Sequence, residues 1–332
     1  MKIAILNSSC AVTPFGGVRV QGLMWADGLS KLGHEVSLVN FWDVYNWEAF
    51  DAIIVISSSG YFSQVMPILY KRNKRIFVAP IIDPSVSLSL YSFYAHFCLK
   101  IPKFGMIERP EHRNLYMGCQ YGYRFLTRSL NETQFLSKSC DISVDRIDIV
   151  PLSIRFDPLR DMPQKENFCF HCSRLRSENK NVSRLIMAAK MYDFRLVLAG
   201  DLHGDREREW LYEQIYNYPN IEYIGPVDDD TLKEYYMRAK VFALPSITEG
   251  VGMVALEAAA YGCEIVLTNI GAPKEYWGDY AELVDPYSVD HIGQAIVKLL
   301  KHGKSQPKLL SFIEANYSLR ACSEKLVYAL QK

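Results

Sequence analysis

Residues 245–266 read PSITEGVGMVALEAAAYGCEIV, and two carboxylates in that stretch have the spacing for chemistry. Glu249 and Glu257 lie eight residues apart, on either side of the turn Gly250-Val251-Gly252 that opens an alanine-rich helix. Carboxylates accept hydrogen bonds from hydroxyls, and glycines let a ligand approach the backbone. A helix amino end adds unpaired N–H groups and partial positive charge. The spacing predicts a helix from about Met253 to Tyr261, with Glu249 on the preceding loop and Glu257 just over one turn inside. N–H groups near Gly252, Met253 and Val254 would then form an anion site between the two carboxylates. A glutamate at a helix start also has a plain use, complementing the dipole for roughly 0.3–1 kcal/mol. That use accounts for one glutamate and leaves both glycines unexplained.

Two other loops carry candidate groups. The run 173-SRLRSENKN-181 crowds Arg174, Arg176 and Lys180 before a helix, with Glu178 as its one acid. It reads either as a solvated basic loop or as a diphosphate site, where Arg supplies a planar fork and Lys a mobile point charge. The run 14-PFGGVRV-20 places Gly16 and Gly17 between a strand and a helix. A simple turn explains it, as does close approach of a ligand; it is neither a G-x-G-x-x-G fingerprint nor a Walker sequence. Cys169 and Cys172 form a lone C-x-x-C inside the strand-like 168-FCFHCS-173, so neither a redox nor a zinc role is expected.

The elements that must position these groups alternate. Strand-like runs at 2–8, 35–40, 52–57, 76–81, 123–127 and 147–152 are separated by helical patterns at 18–33 and 131–139 and by a polar-apolar run at 62–72. The alternation restarts with strands at 167–173, 194–200, 221–225, 241–246, 264–269 and 281–285, interleaved with helices at 182–192, 205–216 and 231–239. Helices at 288–302 and 307–331 close the chain. Continuous β-branched strands between helices imply parallel sheets covered on both faces. The expected fold is α/β, with two Rossmann-like domains whose parallel sheets face each other across a cleft. Pro and charge in 153-SIRFDPLRDMPQKEN-167 interrupt the pattern, so the domains are expected at 1–157 and 158–311, a helix of about 312–332 packing back on the first. In such sheets ligands bind beyond the carboxyl ends of the strands, where the three loops lie.

A chain of 332 residues can fill two ordinary domains. Lys plus Arg equals Asp plus Glu at 37 each, so no global field favours nucleic acid or anionic membranes. Eight scattered cysteines are too dilute for a disulfide framework and suggest reduced thiols. The start MKIAILNSS reads as a strand and not as a signal peptide, and no apolar run nears the roughly 18–20 residues of a membrane span. The expected location is the cytoplasm. The segment 88–128 mixes Tyr91, Phe93, Tyr94, Phe97, Phe104, Tyr116, Tyr121, Tyr123 and Phe125 with Lys100, Lys103, Arg109, Arg113, Arg124 and Arg128, and 71-KRNKR-75 lies nearby. That mixture suits peripheral contact with the inner membrane face, and equally a core with a basic rim.

E-x7-E after a strand ending in Pro-Ser, with Gly-x-Gly between, resembles the signature of family 4 (group 1) retaining glycosyltransferases of GT-B architecture. The rest of the chain adds to the resemblance. Gly16-Gly17 resembles the family's amino-terminal glycine loop, 30-SKLGHEV-36 its "L…GHEV" turn, and 147-IDIVPLSIRFD-157 its "IVPNGVD" hinge. 173-SRLRSENKN-181 resembles "GRL…K-(G/N)", 198-LAGD-201 the "(V/A)GxG" loop, 221-IEYIGPV-227 "VxFxG", and 271-GAPKEY-276 "GGxxE".

The resemblance implies a retaining hexosyl- or N-acetylhexosaminyl-transferase that uses a UDP- or GDP-sugar and a saccharide or lipid-linked acceptor, in bacterial surface polysaccharide or glycolipid assembly. Arg174 and Lys180 would hold the donor diphosphate, with the helix start at Gly252, Met253 and Val254. Glu249, beside Gly250 and Val251, would hold the sugar hydroxyls and Glu257 the ribose. The base would lie by Gly225 to Val227, Gly200 would line the donor site, and Gly16 or Gly17 would approach the phosphates. Glu249, Arg174 and Lys180 are the implied catalytic groups, and no cofactor or metal is implied. Three departures stand out: Leu152-Ser153 replaces Asn-Gly, Ser173 replaces Gly, and Asp83 in 80-PIIDPSV-86 stands where relatives carry His. Asp83 is an acceptor-side candidate, although capping a turn before Pro84 is the preferred reading. 228-DDD-230 imitates the D-x-D metal motif of the other large glycosyltransferase architecture, yet it directly precedes a helix and reads as its N-capping loop. Alternative readings are an epimerase-like enzyme of the same architecture or a non-catalytic nucleotide-sugar binder; a degenerate site would mark the latter, and all four polar groups are present.

Overall fold

A computed structural model describes residues 1–7, 17–40, 42–56, 61–82, 86–100 and 110–332. The chain forms two compact units, Met1–Ser153 with Leu319–Lys332, and Ile154–Ser318. The first contains β1 (Lys2–Asn7), α1 (Gly17–Lys31), β2 (Glu35–Leu38), β3 (Ala52–Ile56), α2 (Phe62–Arg72), β4 (Ile76–Ala79), α3 (Leu88–Lys100), α4 (Pro110–Cys119), β5 (Arg124–Thr127), α5 (Leu130–Cys140) and β6 (Ile147–Ile149). All pairings are parallel, in the order β2-β1-β3-β4-β5-β6. Every residue of β3 and β4 is buried, which is why these strands are unbroken apolar runs and not alternating ones. Phe62, Met66, Leu115 and Phe135 from α2, α4 and α5 cover one face.

The second unit contains β7 (Glu166–Cys172), α6 (Val182–Tyr192), β8 (Leu196–Ala199), α7 (Gly204–Ile215), β9 (Ile221–Tyr223), α8 (Asp229–Arg238), β10 (Ala239–Leu244), α9 (Met253–Ala260), β11 (Glu264–Thr268), α10 (Pro273–Trp277), β12 (Glu282–Val284), α11 (Val289–His302) and α12 (Lys308–Tyr317). Its sheet is also parallel, ordered β12-β11-β10-β7-β8-β9. The strand order reverses between β7 and β10, so the loops leaving those two strands splay apart at a crevice. Leu185, Ile186, Leu198, Val241, Ile296 and Leu299 fill one core of this unit.

The helix expected over 307–331 is two helices. Ser318 is extended (φ −60°, ψ 154°) and ends α12, after which α13 (Leu319–Gln331) begins. α12 stays with the second unit, where Tyr317 stacks on Tyr276 at 5.1 Å and donates its hydroxyl to the Tyr276 carbonyl. α13 packs on α1 in the first unit, with Leu326 and Leu330 against Trp25 and Leu29. The two helices touch at Gly28, where a Cβ would sit 1.9 Å from Ser323 Oγ.

Candidate active site

The glutamate loop and the basic loop leave β10 and β7, the two strands at the reversal. Two asparagines staple them together. Asn179 accepts from the Ile247 and Thr248 N–H groups through its carbonyl and its side-chain oxygen, at 2.7 and 3.1 Å, and donates to the Thr248 carbonyl. Asn181, in the left-handed region (φ 59°), donates to the Pro245 and Pro286 carbonyls at 2.9 and 2.7 Å. Neither asparagine stands out in the sequence, because their partners lie more than sixty residues away.

The staples set Lys180 Nζ 2.9 Å from Glu249 Oε2, which also accepts from Ser246 Oγ at 2.9 Å. Glu249 Oε1 has no hydrogen-bond partner among the described residues. The Glu249 backbone is fixed from the other side: its N–H donates to the Ile270 carbonyl and its carbonyl accepts from Ala272 at 3.1 Å. Gly271 makes that approach possible, since a Cβ there would lie 2.0 Å from the Glu249 carbonyl oxygen. Gly252 then caps α9 in a left-handed conformation (φ 71°) that an L side chain rarely adopts. Its carbonyl accepts from Ala255 and Leu256, leaving the Met253 and Val254 N–H groups without a backbone partner among the described residues. Val251 is buried and Gly250 half-buried beside them.

On the basic loop, Arg174 is exposed and its guanidinium has no partner among the described residues. Arg176 lies 4.7 Å over the Trp210 ring on α7 and is engaged there. Under the loop, His171 is fully buried, with Nδ1 2.7 Å from the Ala243 carbonyl and Nε2 2.7 Å from Ser173 Oγ. Nδ1 must donate to the carbonyl, so Nε2 accepts from the serine hydroxyl. Burial pushes its pKa down to about 4, and the nearby Lys180 charge acts in the same direction.

Glu257 stands apart from Glu249. It is fully buried, and both its oxygens accept from Arg155, Nε to Oε1 at 2.6 Å and Nη2 to Oε2 at 3.0 Å. Arg155 also donates to Asp229 at 2.8 Å and lies 4.5 Å over the Phe156 ring. Burial pushes the Glu257 carboxyl up from its ordinary value, and the arginine fork works against that shift. Arg155 was not singled out in the sequence; it belongs to the hinge-like run, 102 positions from its partner.

The remaining candidates separate. Gly200, just after β8, donates to the Gly225 carbonyl at 2.9 Å and accepts from the Tyr223 hydroxyl at 3.1 Å, which puts Gly225 at the same sheet end; Val227 is half-buried. Gly17 begins α1 in the other unit and is exposed; Gly16 and Asp83 lie outside the described residues. Asp228 caps α8, accepting from the Thr231 N–H at 2.8 Å, while Asp229 and Asp230 pair with Arg155 and Lys233. Cys169 and Cys172 are both free thiols on β7, and burial pushes Cys172 up to about 12. Of the aromatic-basic segment, Phe125 is core, Tyr91, Tyr116 and Tyr121 pack against core, and Arg124 and Arg128 are paired internally. Leu90, Phe93, Tyr94 and Phe97 remain exposed on α3, while Lys103, Phe104 and Arg109 lie outside the described residues.

The chain is similar to known proteins in sequence and in fold. Residues 157–318 match the family described as Glycosyl transferases group 1. The O-antigen chain mannosyltransferase B of Escherichia coli is 31% identical over 129 residues, 37% of this chain and 34% of that protein. An uncharacterized glycosyltransferase of Methanocaldococcus jannaschii is 23% identical over 325 residues, covering 83% and 82% of the two chains. Thus the match spans about a third of the mannosyltransferase's length and most of the archaeal protein's. Among solved structures, sucrose-phosphate synthase from Thermosynechococcus elongatus superposes with a TM-score of 0.75 at 15% identity, covering 100% of this chain and 98% of that one. Anabaena HepE in complex with UDP gives 0.66 at 16% identity, covering 100% of both. Among the described residues, no helix is long and apolar enough to cross a membrane. The chain has the GT-B architecture of two doubly wound parallel α/β units, and its residues 157–318 are similar to the group 1 glycosyl transferases.

Proposed function

We propose that the chain is a retaining glycosyltransferase that moves a hexosyl or N-acetylhexosaminyl unit from a UDP- or GDP-sugar to a saccharide or lipid-linked acceptor. The observation that carries this reading is the Lys180–Glu249 pair, which joins the two loops of the strand reversal and leaves Glu249 Oε1 and the Arg174 guanidinium open beside the start of α9. Arg174, Lys180 and the Met253 and Val254 N–H groups would hold the donor diphosphate, and Glu249 Oε1 a sugar hydroxyl. Glu257 would take the ribose, with Gly225 to Val227 beside the base and Gly200 near the phosphates. The bond between the anomeric carbon and the β-phosphate oxygen breaks, and the acceptor oxygen bonds to that carbon on the same face. The acceptor proton passes to the departing phosphate oxygen, whose charge Arg174 and Lys180 stabilise. This scheme needs no metal, so turnover that vanishes in EDTA and returns with magnesium would remove that part of it.

An O-antigen mannosyltransferase among the relatives supports a role in bacterial surface polysaccharide or glycolipid assembly, on the cytoplasmic side. By the same resemblance, Gly16 or Gly17 would serve the phosphates and Asp83 the acceptor. The exposed face of Leu90, Phe93, Tyr94 and Phe97 on α3 would rest on the membrane surface. Failure to float with anionic liposomes at low salt would remove the membrane contact. The function itself is tested by a panel of nucleotide sugars: one UDP- or GDP-sugar should raise the unfolding temperature and release nucleoside diphosphate when acceptor is added. Stabilisation without turnover would favour a non-catalytic binder, and epimerised donor an epimerase-like enzyme.

A further inference from the structure

The nucleoside end of the proposed donor site is already filled by a side chain of the protein. Glu257 has no exposed surface, and the Arg155 fork takes an N–H to each of its oxygens. A ribose diol needs the same two oxygens, so it and the guanidinium compete for one carboxylate. Arg155 is the part of this pair that can leave. Its side chain is a quarter exposed, and two groups outside the pair already hold it: Asp229 at 2.8 Å, itself largely exposed, and the ring of Phe156. Lys233, on α8, places its Nζ 4.8 Å from the centroid of the same Phe156 ring and helps hold that aromatic platform in place. Releasing Glu257 therefore does not strand the arginine charge, because Asp229 and the Phe156 ring remain with it.

We propose that Arg155 is a latch on the nucleoside subsite, paired with Glu257 as observed here and displaced toward Asp229 when a nucleoside diphosphate binds. The apparent affinity is then the intrinsic one multiplied by the fraction of molecules with the latch open. This rests on the donor-site reading above and adds to it a residue that sets donor affinity. A rigid strut, by contrast, would make Arg155 a support for Glu257, and its loss would weaken binding.

Calorimetric titration of the full chain with UDP and with GDP separates these cases. Arg155→Ala should bind whichever nucleoside diphosphate the wild type binds about five- to thirty-fold more tightly. Arg155→Lys, which keeps the charge and loses the fork, should bind about two- to five-fold more tightly, and serves where the alanine variant folds poorly. Glu257→Ala should weaken binding, giving opposite signs for the two partners of one ion pair. Equal or weaker binding in folded Arg155 variants overturns the latch and leaves the donor site standing. Binding of neither UDP nor GDP by the wild type overturns the donor-site reading, and the latch with it.

Discussion

The two units use the same sheet type to opposite ends. Each holds an Arg or Lys against a glutamate at the carboxyl ends of its strands. In the first unit Arg128 and Glu132 are both buried, and every carboxylate oxygen is committed: Nε and Nη2 reach Oε2 and Oε1 at 3.0 Å each, and the Arg128 and Ile82 N–H groups donate as well. The clamp on Ile82 follows Ile81, which sits in the left-handed region (φ 56°), a conformation that a β-branched side chain adopts only when its surroundings impose it. In the second unit the Lys180–Glu249 pair is partly open, and one oxygen is unused. The closed pair shapes backbone; the open pair has capacity left for a ligand. Position explains the difference, because the open pair lies at the strand reversal between β7 and β10.

Breaking the closed pair should have the largest effect. Glu132→Ala leaves the buried Arg128 uncompensated and should cost about 3–5 kcal/mol in urea unfolding. A loss below about 1 kcal/mol would erase the contrast between the pairs. Breaking the open pair should show the reverse profile. Lys180→Ala should lower turnover by about 10²–10³-fold, while unfolding shifts by about 1 kcal/mol or less.

The third test uses pH. The pKa of His171 falls from 6.5 to about 4 on folding, so the unfolded chain binds a proton there that the folded one does not. The second unit should keep this contribution above pH 6.5 and lose up to roughly 3 kcal/mol as pH falls toward 4. His171→Gln should flatten that slope, and an unchanged slope would show that the titrating group lies elsewhere. The smallest effect is expected from the loop staple. Asn179→Ala removes the side-chain bonds to Thr248 and should cost about 1–2 kcal/mol, with donor affinity falling a few-fold.

The second unit was legible in the sequence because its signals are local. Runs such as 196-LVLA-199 and 265-IVLT-268 are β-branched or apolar throughout, and Gly250, Gly252 and Gly262 punctuate one helix. Glu249 and Lys180 could be named from loops next to those strands. Arg155, Asn179 and Asn181 could not, since each acts through partners in distant segments that only folding brings near. α3 and α4 were hidden for another reason. Leu90, Phe93, Tyr94 and Phe97 form an exposed face, so apolar spacing there does not report a buried one. The break at Ser318 has neither Gly nor Pro to announce it, and two amphipathic helices read as one.

The central claim is that the loops at the strand reversal bind and activate a nucleotide sugar. The direct measurement is nucleoside diphosphate released per minute from the donor that stabilises the wild type, with acceptor present, in Glu249→Ala and Arg174→Ala variants shown to be folded. The account predicts that each variant loses at least about a hundredfold in turnover. Turnover equal to wild type in both folded variants would contradict it.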